Sequence, residues 1–339
     1  MSKPSAPPTL MDVSRAAGVS TATISRCIND PGKVAIKTRE RIEAAIDALG
    51  YTPNFGGRAL ASNRTNSIGA VIPSMENAMF ASGLQAFQEV LSEAGKTMLV
   101  ASTGYDPDRE FHQIRALLAQ GVDGLLLIGR DRPERTTDLL GIRSTPHVLA
   151  WCSPHEGGAP YVGFDNRQAA HELARQAIAM GHSQIAVIGG RSVGNDRARD
   201  RIAGFRDAVT GAQGAVLLQI IEADYELDAG GDALDRILND SPRPTVVLCG
   251  NDVLATGAIL RARDRGIPVP GALSITGFDE IALGRVVSPA LTTIRVPQRE
   301  MGRRAARLLM AQIAGQIAEP NQTLPTELVL RASLAPPAL

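Results

Sequence analysis

The ten residues "STATISRCIN" (20–29) carry the plainest chemistry in this chain. Ile24 and Ile28 lie one helical turn apart and set an inward stripe. What remains outward is small or hydrogen-bonding: Ser20, Thr21, Ala22, Thr23, Ser25, Arg26 and Asn29. That face holds no nucleophile beside a base and no set of metal ligands, so its chemistry is recognition. Arg26 can donate in bidentate fashion to O6 and N7 of a guanine, and Thr21 and Ala22 can meet base edges or a thymine methyl. Ser20, Thr23, Ser25 and Asn29 can hold phosphates.

A helix that presents such a face must be braced. In "TLMDVSRAAG", Thr9 caps a first helix and Asp12 completes a capping box. Val13, Ala16 and Ala17 form its apolar side, and Gly18 supplies the left-handed stop. Ser20 then caps the second helix almost at once. After the turn "NDPGKVA", Ile42, Ala45, Ile46 and Leu49 recur at helical spacing, and Gly50, followed by Tyr51 and Pro53, ends a third helix. The three form a helix-turn-helix unit whose second helix can enter a major groove. Its charge agrees. Residues 1–64 hold nine basic and five acidic side chains, so the zero net charge of the 339-residue chain divides into plus four here and minus four in the rest.

Catalytic patterns do not emerge. "GGRSVG" (189–194) follows an apolar run but is neither G-x-G-x-x-G nor followed by a Lys-Ser or Lys-Thr pair. His112, His147, His155, His171 and His182 form no zinc-protease pattern. Cys27, Cys152 and Cys249 are far apart and read as buried reduced thiols, so neither a disulfide, a metal nor any other cofactor is expected. "MSKPSAPPTLM" has no apolar signal region, and no apolar run nears the roughly 18 residues of a membrane span, which leads to the expectation of a cytoplasmic protein.

From Ser67 onward the pattern alternates. "SIGAVIP", "TMLVAST", "DGLLLIG", "HVLAW", "YVGF", "IAVIGG", "AVLLQII", "TVVLCG" and "LSITGF" have strand length. Amphipathic stretches such as "GLQAFQEVLSEAG" and "RQAAHELARQAIAMG" separate them. This is an α/β pattern with parallel sheets, and its repetition on each side of about residue 162 suggests two lobes. Polar residues just beyond strands are candidates for a ligand cleft: Arg130 after "GLLLIG", Asp252 after "VVLCGN", and Arg201 opening "RIAGFRDAV".

"TLMDVSRAAGVSTATISRCIND" and "TRERIEAAIDALGYTPN" resemble the head of the lactose-repressor and purine-repressor family of bacterial transcription regulators. "GNDVLATGAILRARDRGIPVPGALSITGFDE" and "SPALTTIRVPQREMG" resemble its C-terminal signature. The resemblance implies an all-α helix-turn-helix head (residues 9–53), a hinge helix and linker (54–66) and a two-lobed periplasmic-binding-protein-like α/β core (67–339). Lobe one would comprise about 67–162 and 292–323, and lobe two about 163–291 and 326–335. In the hinge, Asn54 would cap a short helix and Leu60 would wedge into the minor groove, with Arg58 and Ala59 beside it. Gly56 and Gly57 depart from that pattern, each costing about 0.8–1 kcal/mol in a helix interior.

In the core, the resemblance implies that Asp252 and Arg201 hold effector hydroxyl or anionic groups, with Asn251 supporting Asp252. Phe80 and Tyr225 would cover the effector's faces. Trp151 and Cys152 stand where some members have an acidic residue, which argues against a simple neutral sugar. Arg130 with Arg201 would suit an anion, and "VGFDNRQAA" resembles the gluconate-repressor branch. The expected partners are therefore double-stranded operator DNA, a small effector such as a sugar acid, and a second copy of the chain. The tail "TELVLRASLAPPAL" lacks the heptads of a tetramer-forming coiled coil. The rival reading is a sugar-binding protein with no DNA function.

Overall fold

A computed structural model describes residues 7–52, 65–156, 158–316, 319 and 321–338. The chain divides into two compact units at Thr65/Asn66.

The first unit is helical. α1 (Leu10–Ala17) opens on the capping box: Asp12 Oδ2 accepts from the Thr9 backbone N–H at 2.9 Å, and Thr9 Oγ1 accepts from Asp12 N–H at 3.4 Å. Gly18, at φ +62°, ends it. α2 (Thr21–Asn29) begins on Ser20, whose hydroxyl accepts from Thr23 N–H at 3.2 Å. A single 3₁₀ turn at Pro31–Lys33 leads to α3 (Ile36–Leu49), which Gly50 stops at φ +61°. Val13, Ala17, Ile24, Cys27 and Ile42 form the buried centre, with Ile28, Ala45 and Ile46 packed half-buried against it. Three positions of the expected apolar stripes differ. Ala16 is exposed beside the buried Ala17, Cys27 lies deeper than Ile28, and Leu49 is exposed, because a final helical turn extends past the small core.

In the second unit all nine expected runs are strands. In chain order the elements are β1 (Ser67–Ile72), α4 (Ala78–Glu93), β2 (Thr97–Ser102), α5 (Pro107–Ala119), β3 (Gly124–Ile128), α6 (Glu134–Ile142), β4 (His147–Ala150) and β5 (Tyr161–Gly163). Then follow α7 (Asn166–Ala179), β6 (Gln184–Gly190), α8 (Asp196–Thr210), β7 (Val216–Ala223), α9 (Leu227–Asn239), β8 (Val246–Cys249), α10 (Asp252–Asp264) and β9 (Ser274–Thr276). The chain closes with α11 (Ala282–Val286), β10 (Thr293–Arg295), α12 (Gln298–Ile313), β11 (Asn321–Thr323) and β12 (Glu327–Val329).

One parallel sheet has the order β11-β5-β4-β3-β1-β2, and a second has the order β7-β6-β8-β9. Burial on both sheet faces explains why these strands read as continuous apolar runs. Ile68, Ala70 and Ile72 join Phe87 and Leu309 on one face, while Val71 packs with Ile114 and Leu118 on the other. In the second sheet Ile185 and Val187 share a cluster with Phe205, and Ala186 and Ile188 share one with Leu234 and Leu254. A fully buried phenylalanine such as Phe87 contributes about 1.5–3 kcal/mol.

The chain passes between the sheets three times: from β5 into α7, from β9 through β10 into α12, and from β11 through β12 to a tail where Ser333 and Ala335 bond along β9. β10 and β12 pair antiparallel. These short crossover strands were not among the expected elements, since three residues leave no period to read.

Candidate nucleic-acid interface and effector cleft

On the head, Thr21, Ala22, Ser25 and Arg26 are exposed on α2. Ser20 and Thr23 are partly spent on the cap, their hydroxyls 2.9 Å apart. The head's ion pairs are Arg15–Asp12 at 3.2 Å, Lys33–Asp30 at 2.8 Å and Arg39–Glu43 at 3.7 Å, all solvent-exposed and worth little to stability. Among the described residues Arg26 has no ion-pair partner, so its guanidinium fork is available to an external acceptor. The side chain of Asn29, and Asn54, Arg58, Ala59 and Leu60, lie outside the described residues.

In the core two neighbouring cavities, of about 420 and 600 Å³, open at the C-terminal ends of the strands of both sheets. Arg130, Arg132 and Arg197 line the first together with Asp106, Glu110 and Asp131. Arg132 donates from Nε to Glu110 at 2.9 Å and from Nη2 to the Gly129 carbonyl at 3.1 Å. Arg197, 6 % exposed, pairs with Asp196 at 2.7 Å. Loop 129–131 and the start of α8 interlock. Arg130 N–H donates to Asp196 at 3.0 Å, Arg130 pairs with Asp200 at 3.4 Å, and Arg199 grips both oxygens of Asp131 at 2.5 and 2.9 Å. Gly129 permits this approach: it sits at φ +73°, and a Cβ there would fall 1.8 Å from Arg197 Nη1.

Tyr105, following β2, and Tyr225, following β7, meet with ring centroids 5.6 Å apart. Asn195 donates to the Tyr225 hydroxyl at 3.4 Å. Burial pushes both phenols well above their ordinary range, so they remain protonated donors.

Of the seven expected effector residues, Arg130 and Tyr225 line these cavities. The other five do not, and each is committed inside the fold. Arg201 donates to Asn166 Oδ1 at 2.9 Å and the Gly250 carbonyl at 2.7 Å, pairs with Asp279 at 3.0 Å, and lies 3.8 Å from the centre of the Phe278 ring. Asn166 also donates to the Trp151 carbonyl, which ties the end of β4 to the ends of β8 and β9. Arg201 is therefore a brace, and the arginine facing Arg130's cavity is Arg197, four residues earlier.

Asp252 accepts from Thr293 Oγ1 at 2.6 Å and Ile281 N–H at 2.8 Å, and Asn251 caps α10 through Leu254 N–H. Phe80 and Trp151 are core residues, packed edge to face at 5.8 Å. Burial pushes the Asp252 carboxyl up to about 7, against the hydrogen bond from Thr293. Burial likewise outweighs Arg201 at Asp279, which is pushed up to about 6. All three thiols are free and buried, and burial lifts Cys152 to about 12.

Sequence reasoning missed Tyr105, Arg132, Arg197 and Asp279. The available signals were position just after a strand, in "TGYDPD", "GRDR" and "GFDE", and the alternating charge of "NDRARDR", which places arginines around the first turn of α8. Among the described residues no helix is long and apolar enough to cross a membrane, and no cluster of three or more acidic, His or Cys side chains is arranged to hold a metal.

A helix-turn-helix unit followed by a two-sheet core with a cleft at its strand ends defines a DNA-binding regulator that answers to a small molecule. Residues 9–54 match the bacterial regulatory proteins of the lacI family, and residues 174–334 match the periplasmic binding protein-like domain. The chain is similar to the HTH-type transcriptional regulator DegA of Bacillus subtilis, 36 % identical over 97 % of this chain and 98 % of that protein. It is also similar to the regulator GntR of Escherichia coli, 31 % identical over 93 % and 94 %. The lac repressor dimer bound to operator and the anti-inducer ONPF superposes with a TM-score of 0.84 at 28 % identity, covering 97 % of this chain and 99 % of that one. The chain belongs to the lacI family: it is a DNA-binding transcriptional regulator with an effector-binding core, and the family is non-enzymatic.

Proposed function

We propose that this protein is a repressor that binds a two-fold symmetric operator as a homodimer in the cytoplasm and is controlled by a sugar acid, of the gluconate type, held in the core cleft. Within the head, Arg26 reads a guanine, Thr21 and Ala22 meet base edges, and Ser20, Thr23, Ser25 and Asn29 contact phosphates. Asn54, Arg58, Ala59 and Leu60 form the hinge that enters the minor groove. The core corresponds to residues 67–339.

The observation that carries the effector reading is the first cavity, where Arg130, Arg132 and Arg197 converge beside carboxylates. Guanidinium forks suit a carboxylate, and the neighbouring acceptors suit a chain of hydroxyls. Trp151 in place of an acidic residue supports the same branch. A neutral sugar is the second reading, favoured by Asp106, Glu110 and Asp131 on the same walls.

The test is a mobility-shift titration of the full chain on the DNA flanking its own gene, at two salt concentrations, with and without gluconate. The expected result is specific, salt-sensitive retardation that gluconate alters. Retardation indifferent to gluconate but altered by neutral sugars replaces the first reading with the second, and no specific retardation removes the operator assignment.

A further inference from the structure

The second cavity, about 600 Å³, adjoins the first, and Tyr105 and Asp106 line both. Its walls have a different character. Glu76, Asp106, Glu222, Asp224 and Glu226 face it against a single guanidinium, Arg191. Arg191 is taken by Asp224 at 2.5 and 2.8 Å, and Glu222 accepts from Ser192 at 2.8 Å. Among the described residues Glu76 and Glu226 have no basic partner. Asn77, 8 % exposed, lies on the same wall; its Oδ1 caps Met79 N–H at 3.0 Å, and its side-chain amide N–H group has no partner among the described residues.

This combination selects a chemistry. Net negative charge repels an acid group, so the acid end of an effector belongs with the arginines of the first cavity. Carboxylate acceptors beside an amide donor, with the protonated hydroxyls of Tyr105 and Tyr225, match neighbouring sugar hydroxyls, each of which both donates and accepts. The tyrosine rings provide apolar faces for the C–H side of a pyranose ring. A bare cation would leave the amide and phenol donors unused. Ligand sites commonly hold about 300–1,000 Å³, and the two cavities together reach the upper end of that range, more than a six-carbon acid fills.

We propose that the effector is a sugar acid bearing a second glycosyl unit, an aldobionate-type ligand with its acid at Arg130, Arg132 and Arg197 and its glycosyl ring in the acidic cavity. This rests on the sugar-acid reading above and extends it. The test is isothermal titration of the full chain with gluconate, with the aldobionates lactobionate, maltobionate and cellobionate, with neutral lactose and with glucosamine. At least one aldobionate is expected to bind tenfold or more tightly than gluconate, with lactose and glucosamine weaker than that aldobionate. In the double variant Glu76→Gln/Glu226→Gln the preference for the aldobionate over gluconate should collapse to within twofold.

If gluconate alters operator binding and no aldobionate surpasses it in affinity, the extension is overturned and the sugar-acid reading stands. Glucosamine as the tightest ligand makes the acidic wall an amine site and also overturns it. If no acid binds, both readings fall together.

Discussion

The head and the core solve opposite problems. In the head five buried side chains and the helix caps hold three helices, and the exposed face of α2 has little part in holding them. In the core the polar residues that follow the strands divide between two tasks. Arg201, Asn166 and Asp279 brace the chain where the sheets meet, while Arg130, Arg132 and Arg197 line a cavity. The head thus separates its buried centre from the exposed face of α2, and the core places bracing and cavity-lining side chains on neighbours of the same chemical type.

The sharpest way to break this comparison is Arg201→Ala. Removing one partner of a buried ion pair costs about 3–5 kcal/mol, because Asp279 is then left buried without its cation. Trp151, the chain's single tryptophan, lies in the core, so denaturant unfolding followed by its fluorescence reports the core directly. A loss below about 1 kcal/mol would mean that Arg201 is no brace. For the head, Ile24→Ala should cost about 2–5 kcal/mol and abolish operator binding, while the tryptophan transition and effector binding stay unchanged. A matching shift in the tryptophan signal would show that the two units do not unfold independently.

A third effect is a slope with pH. The Asp252 carboxyl sits near 7 in the folded chain and near 3.9 when unfolded, so between about pH 4 and 7 the folded state binds the extra proton. The stability this contributes is fully present below the unfolded value and is lost as pH rises through the folded one. Asp279 acts in the same direction up to about 6. Asp252→Asn should flatten the fall in core stability across this window; an unaltered slope would assign the titration elsewhere. The smallest effect concerns Arg26→Ala, expected to remove about 1–3 kcal/mol of discrimination between operator and random DNA at fixed salt while sparing non-specific binding. Equal losses on both DNAs would make Arg26 a phosphate contact.

The same division explains what could be read in advance. The head's elements were legible nearly residue by residue because caps, glycine stops and the Ile24 period are local signals. Nine of the core's strands were equally plain, whereas the three-residue β10, β11 and β12 were not. The site was less so. Arg197 and Arg201 lie one turn apart on α8, and only the tertiary fold decides that the first lines a cavity while the second meets Gly250 and Asp279. Asp252 likewise looked like a ligand-binding carboxylate, but Thr293, 41 residues on, occupies it. Periodicity carries no information about such long-range partners.

The three passes of the chain between the sheets lie side by side. β10 and β12 are hydrogen-bonded to each other, α7 contacts both, and the Phe164 and Phe278 rings of two passes stack at 6.2 Å. One tether would leave two bodies free to drift, but three tethers bundled together leave them an axis. The degree of freedom that such a bundle leaves is a pivot, like a door on its hinge pins.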